Sequence, residues 1–186
     1  MSKLRVLVFV VLAATAMFCQ DVQTGPEKYS AVAIGTGGSA GGKSVNFNFN
    51  IDRYTTDEEV QQLATLLKTK GQDALVSKME KLNCGRIYPV TSTGNEISVA
   101  RKRMVDGQTV ITIVTARRMS FAELNSGSRS KDYPFGYLQV KLNDKGEGSG
   151  QIMVAAKIRF DKKKGNYEIE SYGNQYIKAI NVRPSK

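Results

Sequence analysis

Short polar turns carrying glycine or asparagine punctuate this chain wherever its apolar residues alternate, and that rhythm leaves few folds open. Asp106-Gly107 gives the strongest signal, because both central positions of a two-residue hairpin turn favour positive φ. Extending the flanking runs from that turn sets Val99 against Val114 and Ile97 against Ala116. It also sets Glu96 against Arg117 on the other face, a cross-strand charge pair. Asn143-Asp144-Lys145-Gly146, the stretch 161–166 and Gly173-Asn174 are connectors of the same kind. They separate strand-like runs around Leu138, Val140 and Leu142, from Ile152 to Phe160, around Tyr167 and Ile169, and from Tyr176 to Val182. Sequential strands joined this way pair as antiparallel neighbours.

Earlier in the chain Val45, Phe47, Phe49 and Ile51 alternate with Ser44, Asn46, Asn48, Asn50 and Asp52, the period of a strand with one wet face. Thr56 and Glu59 then form a capping box, in which hydroxyl and carboxylate each satisfy an orphan amide at a helix start. Val60, Leu63, Ala64 and Leu67 make the apolar stripe of that helix. Asp57, Glu58 and Glu59 suit its positive end, Lys68 and Lys70 its negative end, and Gly71 stops it. Leu75, Met79 and Leu82 mark a second helix, with Gly85 as the left-handed residue that turns the chain away. The expected class is α+β, mainly antiparallel β, with eight or nine strands and one helical pair inserted after the second strand. A flat sheet of so many hairpins would leave an apolar face and two edges bare, so a barrel or a sandwich is required. The pattern does not choose between them.

The N-terminus carries Lys3 and Arg5, an apolar run from Val6 to Ala14, and the small-residue pair Ala14 and Ala16, the arrangement of a secretory signal peptide over residues 1–16. The run is shorter than the roughly 20 residues a membrane-spanning helix needs, so no transmembrane span is expected once the signal is removed. Cys19 raises a lipid anchor as the lesser expectation, opposed by the bulk of Phe18 before it. Residues 17–28 are polar and aperiodic, a tail before a single domain over 29–186. Removing the signal takes away two bases and no acid, lowering the net charge from +10 to +8. Such a charge draws polyanions from a distance without identifying one. A periplasmic or secreted location also permits a Cys19–Cys84 disulfide, but a tail cysteine has little to hold it in register. Cys84 reads instead as a small buried residue.

Residues 37–44, Gly-Gly-Ser-Ala-Gly-Gly-Lys-Ser, satisfy the letter of the phosphate-binding loop pattern. That loop works by delivering phosphate to a helix N-terminus, and here a strand pattern follows, so no nucleotide is expected. The chain has no histidine, which removes imidazole-activated nucleophiles and the commonest zinc ligand. No metal and no cofactor are expected. Carboxylate catalysis remains open to Glu96, Glu123 and Asp132, although Ser120 with Glu123 also forms a capping box.

Basic residues cluster at Arg101-Lys102-Arg103, Arg117-Arg118 and Lys162-Lys163-Lys164. The hairpin register places Arg101 and Arg103 on the face of Ile97 and Val99, where they either overhang the core in water or line a cleft that receives an anion. The loop-rich stretch 117–136 adds Arg118, Arg129, Asp132 and Tyr133, in a connection long enough to suggest a role. The candidate ligand-binding set is therefore Arg101, Arg103, Arg118, Arg129, Asp132 and Tyr133. No catalytic set is assigned.

Arg129-Ser130-Lys131-Asp132-Tyr133-Pro134-Phe135, with Gly146-Glu147-Gly148, Ala156-Lys157 and Phe160-Asp161, resembles a group of small exported bacterial proteins of uncharacterised function. The likeness covers the C-terminal half and implies no activity or site residue. The first expectation for function is an exported, non-catalytic binding module for an anionic glycan, lipid headgroup or acidic protein. The alternatives are a carboxylate-dependent hydrolase and a structural protein of an envelope assembly. Nucleic acid is not an expected partner, since no reader motif accompanies the basic residues.

Overall fold

Phe47 and Phe49 have no exposed surface, and Val45 and Ile51 are buried beside them, as the alternation around them requires. Each buried phenylalanine contributes roughly 1.5–3 kcal/mol, and the ladder they define is the centre of the molecule. The computed structural model describes residues 26–36, 41–119, 132–172 and 177–185. In chain order it contains β1 (Glu27–Gly35), β2 (Ser44–Ile51), α1 (Asp57–Lys70), α2 (Gln72–Met79), β3 (Gly85–Pro89), β4 (Asn95–Glu96), β5 (Val99–Val105), β6 (Gln108–Thr115), β7 (Phe135–Leu142), β8 (Gly148–Asp161), β9 (Asn166–Ser171) and β10 (Ile177–Pro184).

All these strands join one antiparallel sheet in the order β4-β3-β2-β1-β10-β8-β7-β6-β5, with β9 paired to β8 off that path. The sheet curls like a half-barrel and is not a sandwich of two sheets. Its two ends, β4 and β5, are separated in sequence only by Ile97 and Ser98. The Ile97 amide donates to Gly85 O at 2.9 Å on one side, and the Ser98 amide donates to Val114 O at 2.9 Å on the other. β9 and β10 lie end to end along one edge of the long β8, pairing with residues 156–161 and 148–152 respectively. The first and last strands also pair with each other, which no hairpin rule foresees.

That change of partner at Ile97-Ser98 corrects part of the hairpin register. Val99 does face Val114, but Ile97 is bonded to Gly85 rather than set against Ala116. Glu96 pairs with Arg86 at 3.7 Å, and Arg117 with Glu80 at 3.6 Å, so the expected Glu96–Arg117 pair does not form. Splitting one run into β4 and β5 also raises the strand number to ten.

Both surfaces of the sheet carry packed apolar residues. The inner cluster runs from Tyr29 and Phe49 to Ile111, Leu138, Ile152 and Val182. A second cluster on the outer surface packs Leu63, Leu67, Leu75 and Met79 of the helices over Val114, Ala116, Phe135 and Ala156. The capping box at Thr56 and Glu59 is present and Gly71 ends α1 at φ 82°. Gly85 has a different job from the one its position suggests. α2 ends at Met79, and Gly85 opens β3 at φ 135°, where a Cβ would stand 2.0 Å from Asn50 O.

β1 begins at Glu27, two residues before the expected domain boundary, because Glu27 is held by three side chains described below. Among the described residues, no helix is long and apolar enough to cross a membrane.

Candidate functional site

The helices cover the outer surface over β5 to β8, and no described helix packs on the outer surface over β3, β2, β1 and β10. Register fixes what that second surface carries. One cross-strand row reads Arg183, Ser30, Asn48, Tyr88, and the next in one direction reads Lys28, Asn50, Arg86. Asn46 follows in the other direction, beside Val32. Asparagine is a poor strand residue, so three on one strand face are not explained by strand stability.

A bulge shapes this surface into a groove. The pairing of β10 slips by one residue against both neighbours, between Ala179 and Val182 on the β8 side and between Ser30 and Val32 on the β1 side. Asn181 occupies the slip at φ 51°, a left-handed conformation that few residues other than glycine adopt and that asparagine tolerates best. Bulges of this kind re-aim side chains and recur beside functional sites. The resulting groove has a volume of about 720 Å³. Its lining includes Ala31, Phe47 and Val182, and Ser30, Asn46, Asn48, Asn143, Glu147, Asn181 and Arg183 bring polar groups to it. The Asn143 side-chain Oδ1 already accepts from the Lys145 and Glu147 amides, at 2.9 and 3.0 Å. By contrast, Asn46, Asn48, Asn181 and Arg183 make no side-chain hydrogen bond or ion pair with another described residue.

The six residues singled out from the sequence do not converge. Arg101 lies under the start of α1, where its guanidinium donates to Thr55 O at 2.6 Å and pairs with Asp57. With its side chain only 14% exposed, it neither overhangs the core in water nor lines a cleft. The reason is the bend at Ser98, which puts Val99 and Arg101 on the helix-covered face and Ile97 inside. Arg103 is exposed near the hairpin tip. Arg118 is half-buried, and its carbonyl accepts from Asn95 Nδ2 at 3.0 Å. Asp132 and Tyr133 adjoin, but the Asp132 carbonyl receives Gln72 Nε2 at 3.1 Å, while Tyr133 donates to Glu170 at 3.0 Å and meets Tyr172 edge-on. Arg129 lies outside the described residues, as do Cys19, Ser120 and Glu123.

Glu96 lines a smaller pocket of about 350 Å³ with Glu80, Arg86 and Arg117, and Asp132 is not part of that lining. Among the described residues, no group of three or more histidine, cysteine, aspartate or glutamate side chains is placed to hold a metal ion. Ser44 opens β2 rather than a helix, so the phosphate-loop pattern lacks the helix N-terminus it needs. Cys84 is fully buried, 3.5 Å from both Thr55 Oγ1 and Ser98 O, and is a free thiol.

Within the chain a polar cluster fastens β1 to β5. Glu27 accepts from Tyr29 at 2.9 Å and from Tyr54 at 2.6 Å, and pairs with Lys102 at 2.7 Å. Burial, and then the Glu27 carboxylate, push both phenols well above their ordinary value. Both phenols and the Lys102 ammonium are engaged by Glu27, so the cluster reads as a fastening and not as a site for a ligand.

The groove was missed from sequence because Asn181 and Arg183 come from the opposite end of the chain to Asn46 and Asn48. The available signal was Asn46, Asn48 and Asn50 on one face of a strand. No family model, curated protein or solved structure matches the chain.

Proposed function

We propose that this protein is an exported, non-catalytic binding module that holds an anionic ligand of the cell envelope or extracellular space in the groove over Asn181. The reading is carried by a set of side chains on one sheet surface, Asn46, Asn48, Asn181 and Arg183, that have no hydrogen-bond partner among the described residues and are gathered by a bulge. Pockets of about 300–1,000 Å³ with a few convergent polar groups are the usual size of small-ligand sites. The net charge of +8 after loss of residues 1–16 favours approach of an anion.

The test is titration of the chain from Met17 onward against anionic envelope polymers and lipid vesicles. Binding at low salt that weakens as salt screens it is the expected result. Absence of binding to every anionic probe at low salt would overturn the reading. Export is tested separately: the cell-derived protein is expected to start after Ala16 by intact mass, and an intact Met1 in the cytosolic fraction would overturn it.

A second reading, a structural part of an envelope assembly, is favoured by one observation. β9 pairs only with β8 among the described residues, and it exposes Tyr167 and Ile169, the profile of an edge strand open to another chain. A clean monomer by light scattering at high concentration counts against it.

A further inference from the structure

We infer that the ligand of the groove is a carbohydrate bearing carboxylates, with Arg183 taking an acid group and the asparagines taking hydroxyls. The inference rests on the binding reading above and narrows it to a chemical class.

The donor and acceptor inventory decides the class. A carboxamide offers one acceptor oxygen and two donor hydrogens, so Asn46, Asn48 and Asn181 together present both kinds of group to the same space. Sugar hydroxyls also donate and accept, so a polyol satisfies both halves of each carboxamide. An ionised polyphosphate chain, which brings no hydroxyl, accepts only. It would leave the carboxamide oxygens unmatched, and it would face the carboxylate of Glu147 on the same lining. Glu147 instead suits a hydroxyl donor.

Charge limits the acid to a small number of groups at this point. Among the described residues the lining carries one cation, Arg183, against one anion, Glu147, which is too little positive charge for a dense polyphosphate and enough for an isolated carboxylate. A planar guanidinium binds a carboxylate through two parallel hydrogen bonds, the geometry that gives such pairs their selectivity. Further cations continue along the same face. Lys28 and Arg86 flank Asn50 in the row beyond Ser30 and Asn48. Successive same-face residues on a strand are roughly 6.6–6.8 Å apart. Arg86 is paired with Glu96, so a chain with an acid group on each of several units could meet Arg183 in the groove and Lys28 beyond it.

The strand floor fits this class as well. Asn46 and Asn48 project from a strand whose alternate residues, Phe47 and Phe49, are fixed in the core. Their backbone positions are therefore set before the ligand arrives, which reduces the ordering entropy on binding.

The test is calorimetric titration of the chain from Met17 onward with three probes at low salt: an oligogalacturonate, its methyl ester, and inorganic polyphosphate. The oligogalacturonate is expected to bind, with the ester about tenfold weaker, the loss of a charge-assisted hydrogen bond. Arg183→Gln should bring the acid form to the affinity of the ester and leave the ester unchanged. Arg183→Lys should recover only part of the loss. Asn48→Ala should weaken acid and ester alike. Polyphosphate binding tighter than the oligogalacturonate, or ester and acid binding equally, would overturn the carbohydrate acid inference while leaving anion or ligand binding standing. Failure of all three probes, together with failure of the wider panel of anionic probes above, would instead remove the broader reading.

Discussion

Lys102 Nζ lies 2.7 Å from Glu27 Oε1, joining the first strand to the fifth across 75 residues of sequence. The two side chains are 25% and 16% exposed, and the same carboxylate accepts from Tyr29 and Tyr54 through its other oxygen. Lys102 also stands over the Tyr54 ring at 5.9 Å. A partly buried carboxylate with three donors cannot be removed without leaving those donors short of an acceptor.

Glu27→Ala is therefore expected to lower the stability of the chain by about 1–3 kcal/mol, the penalty for stranding partly buried polar groups. Urea unfolding reads it as a lower midpoint at constant slope. A midpoint equal to that of the parent would show that water replaces the carboxylate at no loss.

The two phenols predict an alkaline weakness. The pKa of each is raised from its ordinary 10.0, by burial first and by Glu27 second. A raised value means the folded state keeps a proton that the unfolded chain releases. The stabilisation is then complete below pH 10 and declines as pH rises above it, by at most about 1.4 kcal/mol per pH unit for each phenol. Tyr54→Phe should be less stable than the parent at neutral pH, having lost its bond to Glu27. It should also lose less between pH 9 and pH 11. Parallel decline of the two proteins by urea midpoint would contradict this.

Alternation and turn chemistry make most of the architecture legible in the sequence. The runs at 44–51, 108–115 and 135–142 are strands, and the Thr56 capping box starts a helix. What local pattern missed were events between distant segments. Nothing around Ile97 and Ser98 announces that the strand changes partner there, because the partner residues, Gly85 and Val114, lie on opposite ends of the rolled sheet. Gly85 was readable as a glycine that must be glycine, but the reason is contact with the Asn50 carbonyl and not a helix cap. The candidate site failed for the same cause. Arg101 and Tyr133 drew attention as charged or aromatic residues in suggestive places, and each is engaged by a neighbour from another part of the chain. Arg183 and Asn48 drew none, since each is ordinary until β1 brings them into one row.

Arg101 should accordingly behave as a structural residue. Arg101→Gln removes the donor to Thr55 O and the partner of Asp57, beside the first turn of α1. A loss of about 1–3 kcal/mol in unfolding free energy is expected. Ligand affinity at the groove should stay within about twofold, below the tenfold that 1.4 kcal/mol represents. A variant of normal stability that no longer binds would return Arg101 to the site.

Asn181 tests whether the bulge matters to the groove or merely sits beside it. Its φ of 51° is disfavoured for side chains with a Cβ and most disfavoured for branched ones. Asn181→Gly can adopt that conformation freely, so the bulge should persist and the change in stability should remain within about 1 kcal/mol. Asn181→Val adds a branched Cβ to a left-handed position, a strain of roughly 1–2 kcal/mol. The backbone can relieve that strain only by giving up the slip that β10 makes against both β1 and β8. The glycine variant should then lose only what the carboxamide contributes to affinity, whereas the valine variant should also lose the aim of Arg183, two residues on. Calorimetric titration with the oligogalacturonate and its ester separates the two effects. For Asn181→Gly, acid and ester should weaken by the same factor. For Asn181→Val, the acid should fall further than the ester, because the guanidinium no longer meets the carboxylate. Equal behaviour of the two variants would mean that the bulge does not orient Arg183, and that the groove owes its shape to the rest of the sheet.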